Sequence, residues 1–135
     1  MSRHYLIILL LVPLLTLSHL GVSQTIRDSN SKLIAKISNG EIRDSYSRKI
    51  GSVNSDGVVR NSSHQKLGTI QGGRVVNGNG LTNYKYDGSG VIRNKNGRLM
   101  YRIGSNGDIR NSSGQLMLKY EGVELIYIIA YLCFF

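Results

Sequence analysis

The chain has 135 residues, enough for one small domain, and its 17 basic residues against 8 acidic ones give a formal charge of +9. Such a balance attracts anionic partners, whether nucleic acid, membrane surface or acidic glycan. The single cysteine, Cys133, cannot form an internal disulfide, so no disulfide scaffold holds the fold.

Arg3 and His4 make a short positive start, and Tyr5 to Leu17 is then almost unbroken Leu, Ile and Val. Small residues at Gly21 and Ser23 precede Gln24. This is the layout of a secretory signal peptide over residues 1–23. It predicts an exported protein, in the periplasm, at the cell surface or secreted. An uncleaved membrane anchor is the other reading, but Pro13, Ser18 and His19 interrupt the run, which is short of the ~20 apolar residues a bilayer needs. Export argues against nucleic acid as the normal partner.

From residue 24 to 122 the chain repeats itself. The unit Glu41-Ile42-Arg43-Asp44-Ser45 recurs with drift around apolar anchors at Ile26, Ile42, Val59, Val76, Ile92 and Ile109. The steps are 16, 17, 17, 16 and 17 residues, a period that marks a repeat architecture and is too short for a helical pair. Each anchor triplet reads as a strand with the β-branched anchor on one face and the following Arg on the other. A turn led by Asp or Asn follows, as in Asp28-Ser29-Asn30-Ser31 and Asn61-Ser62-Ser63-His64, because such a side chain can bond the backbone two residues on. Gly97 and Gly114 stand fourth in their turns, where a left-handed residue is wanted, and Ser31, Ser47 and His64 take that place elsewhere at some conformational cost.

A second strand carries apolar residues three apart: Ile34 and Ile37, Ile50 and Val53, Leu67 and Ile70, Met100 and Ile103, Met117 and Tyr120. Strand faces recur every two residues, so with the small Ala35, Gly51 and Gly68 between them this spacing predicts a bulge, or a close backbone approach, that turns both residues inward. A glycine-bearing turn closes the repeat, with Gly40, Gly57, Gly73, Gly90 and Gly107 as its structural glycines. The fourth copy is degenerate. With the anchor placed at Val76, Asn77 replaces the Arg, and Tyr84 and Tyr86 replace aliphatics.

The tail, 123–135, is nearly all apolar, too short to span a membrane as a helix, and an aggregation hazard if left exposed. Burial in the middle of the repeat array or against one end of it is expected.

The run Ile42 to Gly57, the export signal, the Gln24-Thr25-Ile26-Arg27-Asp28 start and the aromatic end at Phe134-Phe135 together resemble the bacterial fivefold β-flower proteins. The resemblance covers the chain from about 24 to 135. It implies an all-β protein, a closed or nearly closed array of short hairpins about a pseudo-fivefold axis, and it carries over a fold and no catalytic site. Five hairpins fit, over 33–43, 49–60, 66–77, 83–93 and 99–110. A first strand at 26–27 and a last at 115–120 are left over, either to close the ring or to remain at its edges.

Nothing in the chain reads as catalytic machinery, a metal site or a cofactor site. His64 sits in a turn, and Asp28 and Asp44 are replaced by Asn at 61, 94 and 111, which a turn former tolerates and a catalytic acid does not. The repeated Arg27, Arg43, Arg60, Arg93 and Arg110 would form a crown in a closed array. Arg suits bidentate contact with carboxylates and phosphates, so the crown is a candidate site for an acidic ligand, with Tyr84, Tyr86 and Tyr101 as further contacts. The other reading is that each Arg packs and bonds locally. The functional expectation is a non-enzymatic structural or interaction module at the cell envelope. Its alternative is a binding module for acidic glycan or envelope polymer through the Arg crown; the partner is then that polymer or another envelope protein.

Overall fold

Alternating burial along short β-branched segments makes the strands. The computed structural model describes residues 24–135, and the signal-peptide reading of 1–23 lies outside them. The strands are β1 (Thr25–Asp28), β2 (Leu33–Ser38), β3 (Glu41–Asp44), β4 (Lys49–Val53), β5 (Val58–Asn61), β6 (Lys66–Gln71), β7 (Arg74–Asn77), β8 (Thr82–Tyr86), β9 (Val91–Asn94), β10 (Leu99–Ile103), β11 (Asp108–Asn111) and β12 (Leu116–Glu121). One helix follows, α1 (Leu125–Phe134). Every strand pairs antiparallel with its sequence neighbours, and β1 pairs with β12, so the sheet is a closed barrel. The closing register sets Ile26 opposite Tyr120 and Arg27 opposite Lys119. Of the two outcomes open to the end strands, closure is the one observed, and it removes the exposed edges. Five hairpins are joined by glycine turns; the first and last strands fill the remaining place in the ring.

The two kinds of turn alternate between the barrel's ends. On one end an Asp or Asn accepts from the backbone two and four residues on. Asn61 Oδ1 takes Ser63 N–H at 2.9 Å and Gln65 N–H at 3.0 Å. The same bonds recur at Asp28, Asp44, Asn77, Asn94 and Asn111. On the other end the turns have two lengths. Asn39-Gly40 and Gly72-Gly73 are two-residue loops with φ of 51° and 76°, and 60° and 79°, as a type I′ hairpin needs. Residues 54–57, 87–90 and 104–107 form four-residue loops instead. At Gly57 the φ is +80°, its carbonyl accepts Ile70 N–H at 2.8 Å, and an added Cβ would collide with the Ile70 carbonyl. The turn glycine thus serves as the contact between one repeat and the next.

The fourth anchor needs correction. Val75, 1% exposed, is the buried residue, paired with Ile70 and Tyr84, and Val76 is half-buried. Asn77 does not stand in for the missing Arg; it leads the turn, accepting from Asn79 and Leu81. The Arg position is Val76. With anchors at 26, 42, 59, 75, 92 and 109, each 16-residue step contains a two-residue glycine turn and each 17-residue step a four-residue one.

The bulge exists, in a form different from the expected one. The ladders skip Ile34, Ile50 and Leu67, which are half-buried, while Ala35, Gly51 and Gly68 pair with the buried anchors and face inward. The residue that precedes each anchor's pair in the chain is the extra one, so the apolar spacing of three comes from one bulged residue and one inward residue. The inward small residues make room for the tail. Helix α1 is apolar all round; Ile128, Ile129 and Ala130 at its middle are at most 1% exposed within the same cluster as the anchors, and its other residues are half-buried against that cluster. Ten residues of helix are ~15 Å long, which matches the ~13–20 Å of strands of four to six residues. The helix fills the barrel. Leu125 lies near Gly90, Ile103 and Tyr120 at the glycine-turn end, and Phe134 and Phe135 pack onto Gly68 and Gly51.

Candidate functional site

The Arg crown is formed, and each member has a local task. Nη1 of Arg27, Arg43, Arg60, Arg93 and Arg110 donates to the carbonyl of the residue four on, at 3.1, 2.8, 3.0, 3.2 and 3.0 Å. The acceptors are Ser31, Ser47, His64, Gly97 and Gly114, the residues whose φ is positive. Each guanidinium therefore ties down the strained end of its turn. Arg43 also pairs with Glu41, and Arg110 with Asp108.

A second set of cations was missed in the sequence. The outward place on the second strand, between its two inward residues, is Lys36, Ser52, Thr69, Lys85, Arg102 and Lys119. Across the strands Lys36 faces Arg43, Lys85 faces Arg93, Arg102 faces Arg110 and Lys119 faces Arg27. Like charges directly opposite one another on a sheet destabilise it. Ser52 and Thr69 fill the same place in two copies, so the repeat does not require a cation there. The signal lay in the alternation Ala35-Lys36-Ile37, Tyr84-Lys85-Tyr86, Tyr101-Arg102-Ile103 and Leu118-Lys119-Tyr120.

The fourth copy goes furthest. It lost the turn-bonded Arg at 76 and carries Arg74 on the other side of its anchor, where the other copies have Thr25, Glu41, Val58, Val91 and Asp108. Arg74 faces Lys85, and Lys85 faces Arg93, so three cations stand side by side on β7, β8 and β9. Acids intervene at the second and sixth anchors, though not between Arg27 and Lys119 at the seam: Glu41 meets Arg43 and, at 3.6 Å, Lys49; Asp44 meets Arg48 at 2.9 Å; Asp108 meets Arg110 at 3.3 Å. Among the described residues Arg74, Lys85, Arg93 and Arg102 have no such partner. Asp87 is the only acid between Lys66 and Arg102. Its carboxyl is held below the usual range first by the Ser89 hydroxyl and then by the Val91 N–H, with the Arg93 charge a smaller influence. That carboxylate is committed to its own turn.

The remaining candidates take no part in a site on this face. Tyr84, Tyr86 and Tyr101 pack inward against the core, so they are not contacts for an outside ligand. Burial raises the pKa of Tyr84, and it pushes the Cys133 thiol up to about 12, as expected inside the barrel. His64 is an exposed turn residue with φ of 64°. Among the described residues no group of His, Cys, Asp and Glu is placed to hold a metal. A notch of about 270 Å³ opens at the seam, where the first and last strands meet without a turn, lined by Thr25, Arg27, Asp108, Lys119 and Glu121 among others. Thr25 is 4% exposed, and its Oγ1 has no hydrogen-bond partner among the described residues.

No curated protein and no solved structure matches the chain. A family model described as 5-fold beta-flower protein matches residues 16–86, over half of the chain.

Proposed function

The chain belongs to the 5-fold beta-flower protein family, and from that premise we propose that this small β-repeat protein is a non-enzymatic binding module, exported to the cell envelope, whose ligand is an acidic polymer. The observation that carries the reading is the set of cations facing one another across the outside of the barrel. Lys36–Arg43, Lys85–Arg93, Arg102–Arg110 and Lys119–Arg27 are four unfavourable pairings that an anionic ligand would convert to favourable ones. Export rests on the residues 1–23, with their positive start and apolar run.

The barrel interior offers no room for a substrate, since α1 and the anchors fill it. The outside is cationic and polar, the reverse of the apolar band of a membrane barrel, and strands of four to six residues fall short of the ~9–11 that cross a bilayer. Many weak contacts on a rigid barrel add up on a polymer that presents many charges. The test is retention of the purified protein on immobilised acidic and neutral polysaccharides at low and physiological salt. Retention by the acidic matrix alone, weakened by salt, supports the reading. Passage through both at low salt would leave the scaffold role, with a protein partner, as the better account.

A further inference from the structure

We propose that Arg74, Lys85 and Arg93 form the principal contact for that polymer, which lies across β7, β8 and β9 with successive carboxylates against the three cations. The inference rests on the reading above and narrows it to one place and one ligand class, a linear polysaccharide of acidic sugars.

Duplication explains Arg93, whose Nη1 holds the Gly97 carbonyl. It does not explain Arg74, which departs from the repeat, and it does not require Lys85, since Ser52 and Thr69 serve at that place in two copies. Neither side chain makes a hydrogen bond or ion pair among the described residues, so neither is there to hold the fold. Both are exposed. The ladder is bounded by Gln71 opposite Arg74 and by Leu99 opposite Arg93, and Lys95 and Arg98 continue the positive surface onto the adjoining turn.

The direction of the ladder favours a chain-like ligand. Neighbouring strands are about 4.8 Å apart, so the charges step around the barrel rather than along it. A flat bilayer would draw on cations spread over a wide face of the barrel, whereas these three form a single row. A flexible polymer with one carboxylate per sugar can follow the curve. Single-stranded nucleic acid would in addition need aromatic platforms for its bases, and Tyr84, Tyr86 and Tyr101 face inward from these strands.

The experiment measures the affinity of the purified protein for polygalacturonate by calorimetry. It compares Arg74→Gln with Lys85→Gln, as a double variant, against Lys32→Gln with Lys66→Gln. Each pair removes two exposed cations from the outside of the barrel. The first pair is expected to weaken binding about tenfold or more and the second less than about threefold, with both melting like the parent. Equal weakening by both pairs would overturn this site and leave diffuse polyanion binding intact. No binding by the parent would overturn the functional reading itself. Tighter binding to phosphatidylglycerol vesicles or to a single-stranded oligonucleotide than to polygalacturonate would overturn the ligand class.

Discussion

The ring of Phe134 lies against Gly68, in space that any side chain there would occupy: an added Cβ would stand 2.8 Å from the ring and closer still to the Val76 carbonyl. The repeat therefore has to be small at this place on the side where the helix ends, and it is large at Tyr84, Tyr101 and Leu118 on the other. Neither the backbone nor the ring can yield cheaply, so Gly68→Ala should cost about 1–3 kcal/mol, the range for overpacking a filled core. Gly88 has open space around it and no positive φ, so Gly88→Ala should melt like the parent. Thermal and urea unfolding of the two variants check this. Equal stability would mean that the helix end sits elsewhere.

Removing residues 123–135 takes away Ile128, Ile129 and Ala130 and leaves the inward anchors facing a hollow. A buried Ile contributes ~1.5–3 kcal/mol relative to exposure, and the barrel's small inward residues cannot close the gap. Chain 24–122 is expected to aggregate or to lack a cooperative transition. A soluble, monomeric product that unfolds cooperatively on heating would show that the strands hold the ring without the helix.

The fourth repeat shows where the sequence was legible and where it was not. Five anchors could be placed because an Arg follows each, and Asp or Asn follows the Arg. At Val75-Val76 the Arg is gone and two identical residues offer opposite faces, so a shift of one reverses the assignment. The surviving marker was Asn77, two after the anchor as Asn61 is after Val59. The tail's burial could be read from its composition, but its helix could not, since a helix surrounded on every side has no polar face to give it a period. The facing of Arg74, Lys85 and Arg93 needed the strand register, which the bulges at each repeat displace. The corrected anchor makes a sharp comparison. Val75→Thr buries a hydroxyl beside Ile70 and Tyr84 and should cost about 1–3 kcal/mol, whereas Val76→Thr should stay within about 0.5 kcal/mol. The reverse order, measured by urea unfolding, would restore Val76 as the anchor.

The crown arginines and the ladder should separate by what their loss changes. Arg60 donates to His64, a residue held at positive φ, so Arg60→Gln frees a strained turn and should cost about 0.5–1 kcal/mol, after allowance for solvent exposure. Lys85 makes no such bond, and Lys85→Gln should leave stability within about 0.5 kcal/mol. Melting curves of the two single variants decide. A loss at Lys85 as large as at Arg60 would give that side chain a part in the fold.

Stability should fall at both ends of the pH scale, for different groups. The Arg43 hydrogen bond, followed in effect by burial that opposes it and by the Arg43 and Lys49 charges, lowers the Glu41 pKa below 4.5. At Asp44 burial works upward, but the backbone N–H groups of Arg48 and Tyr46 and the Arg48 side chain outweigh it and lower the pKa below 3.8. Asp87 is lowered from the same value, chiefly by the Ser89 hydroxyl. A carboxyl lowered by folding contributes stability above its unfolded pKa and loses it as pH falls through the folded one. The acid limb should therefore begin near pH 4.5 and steepen below 3.8. At the other end the Cys133 thiol, raised from 9.0 to about 12 by burial, stays neutral in the barrel while the unfolded thiol ionises. Its contribution is whole below pH 9.0 and is lost as pH rises toward about 12. Asp87→Asn offers the cleanest check, because Asn54 leads the corresponding four-residue loop and accepts the same bonds from Asp56 and Val58, so the backbone bonds should be kept. Its unfolding midpoint, followed from pH 7 to pH 2, should decline less steeply than the parent's below pH 3.8. Parallel curves would mean that the Asp87 carboxylate gains nothing from its turn.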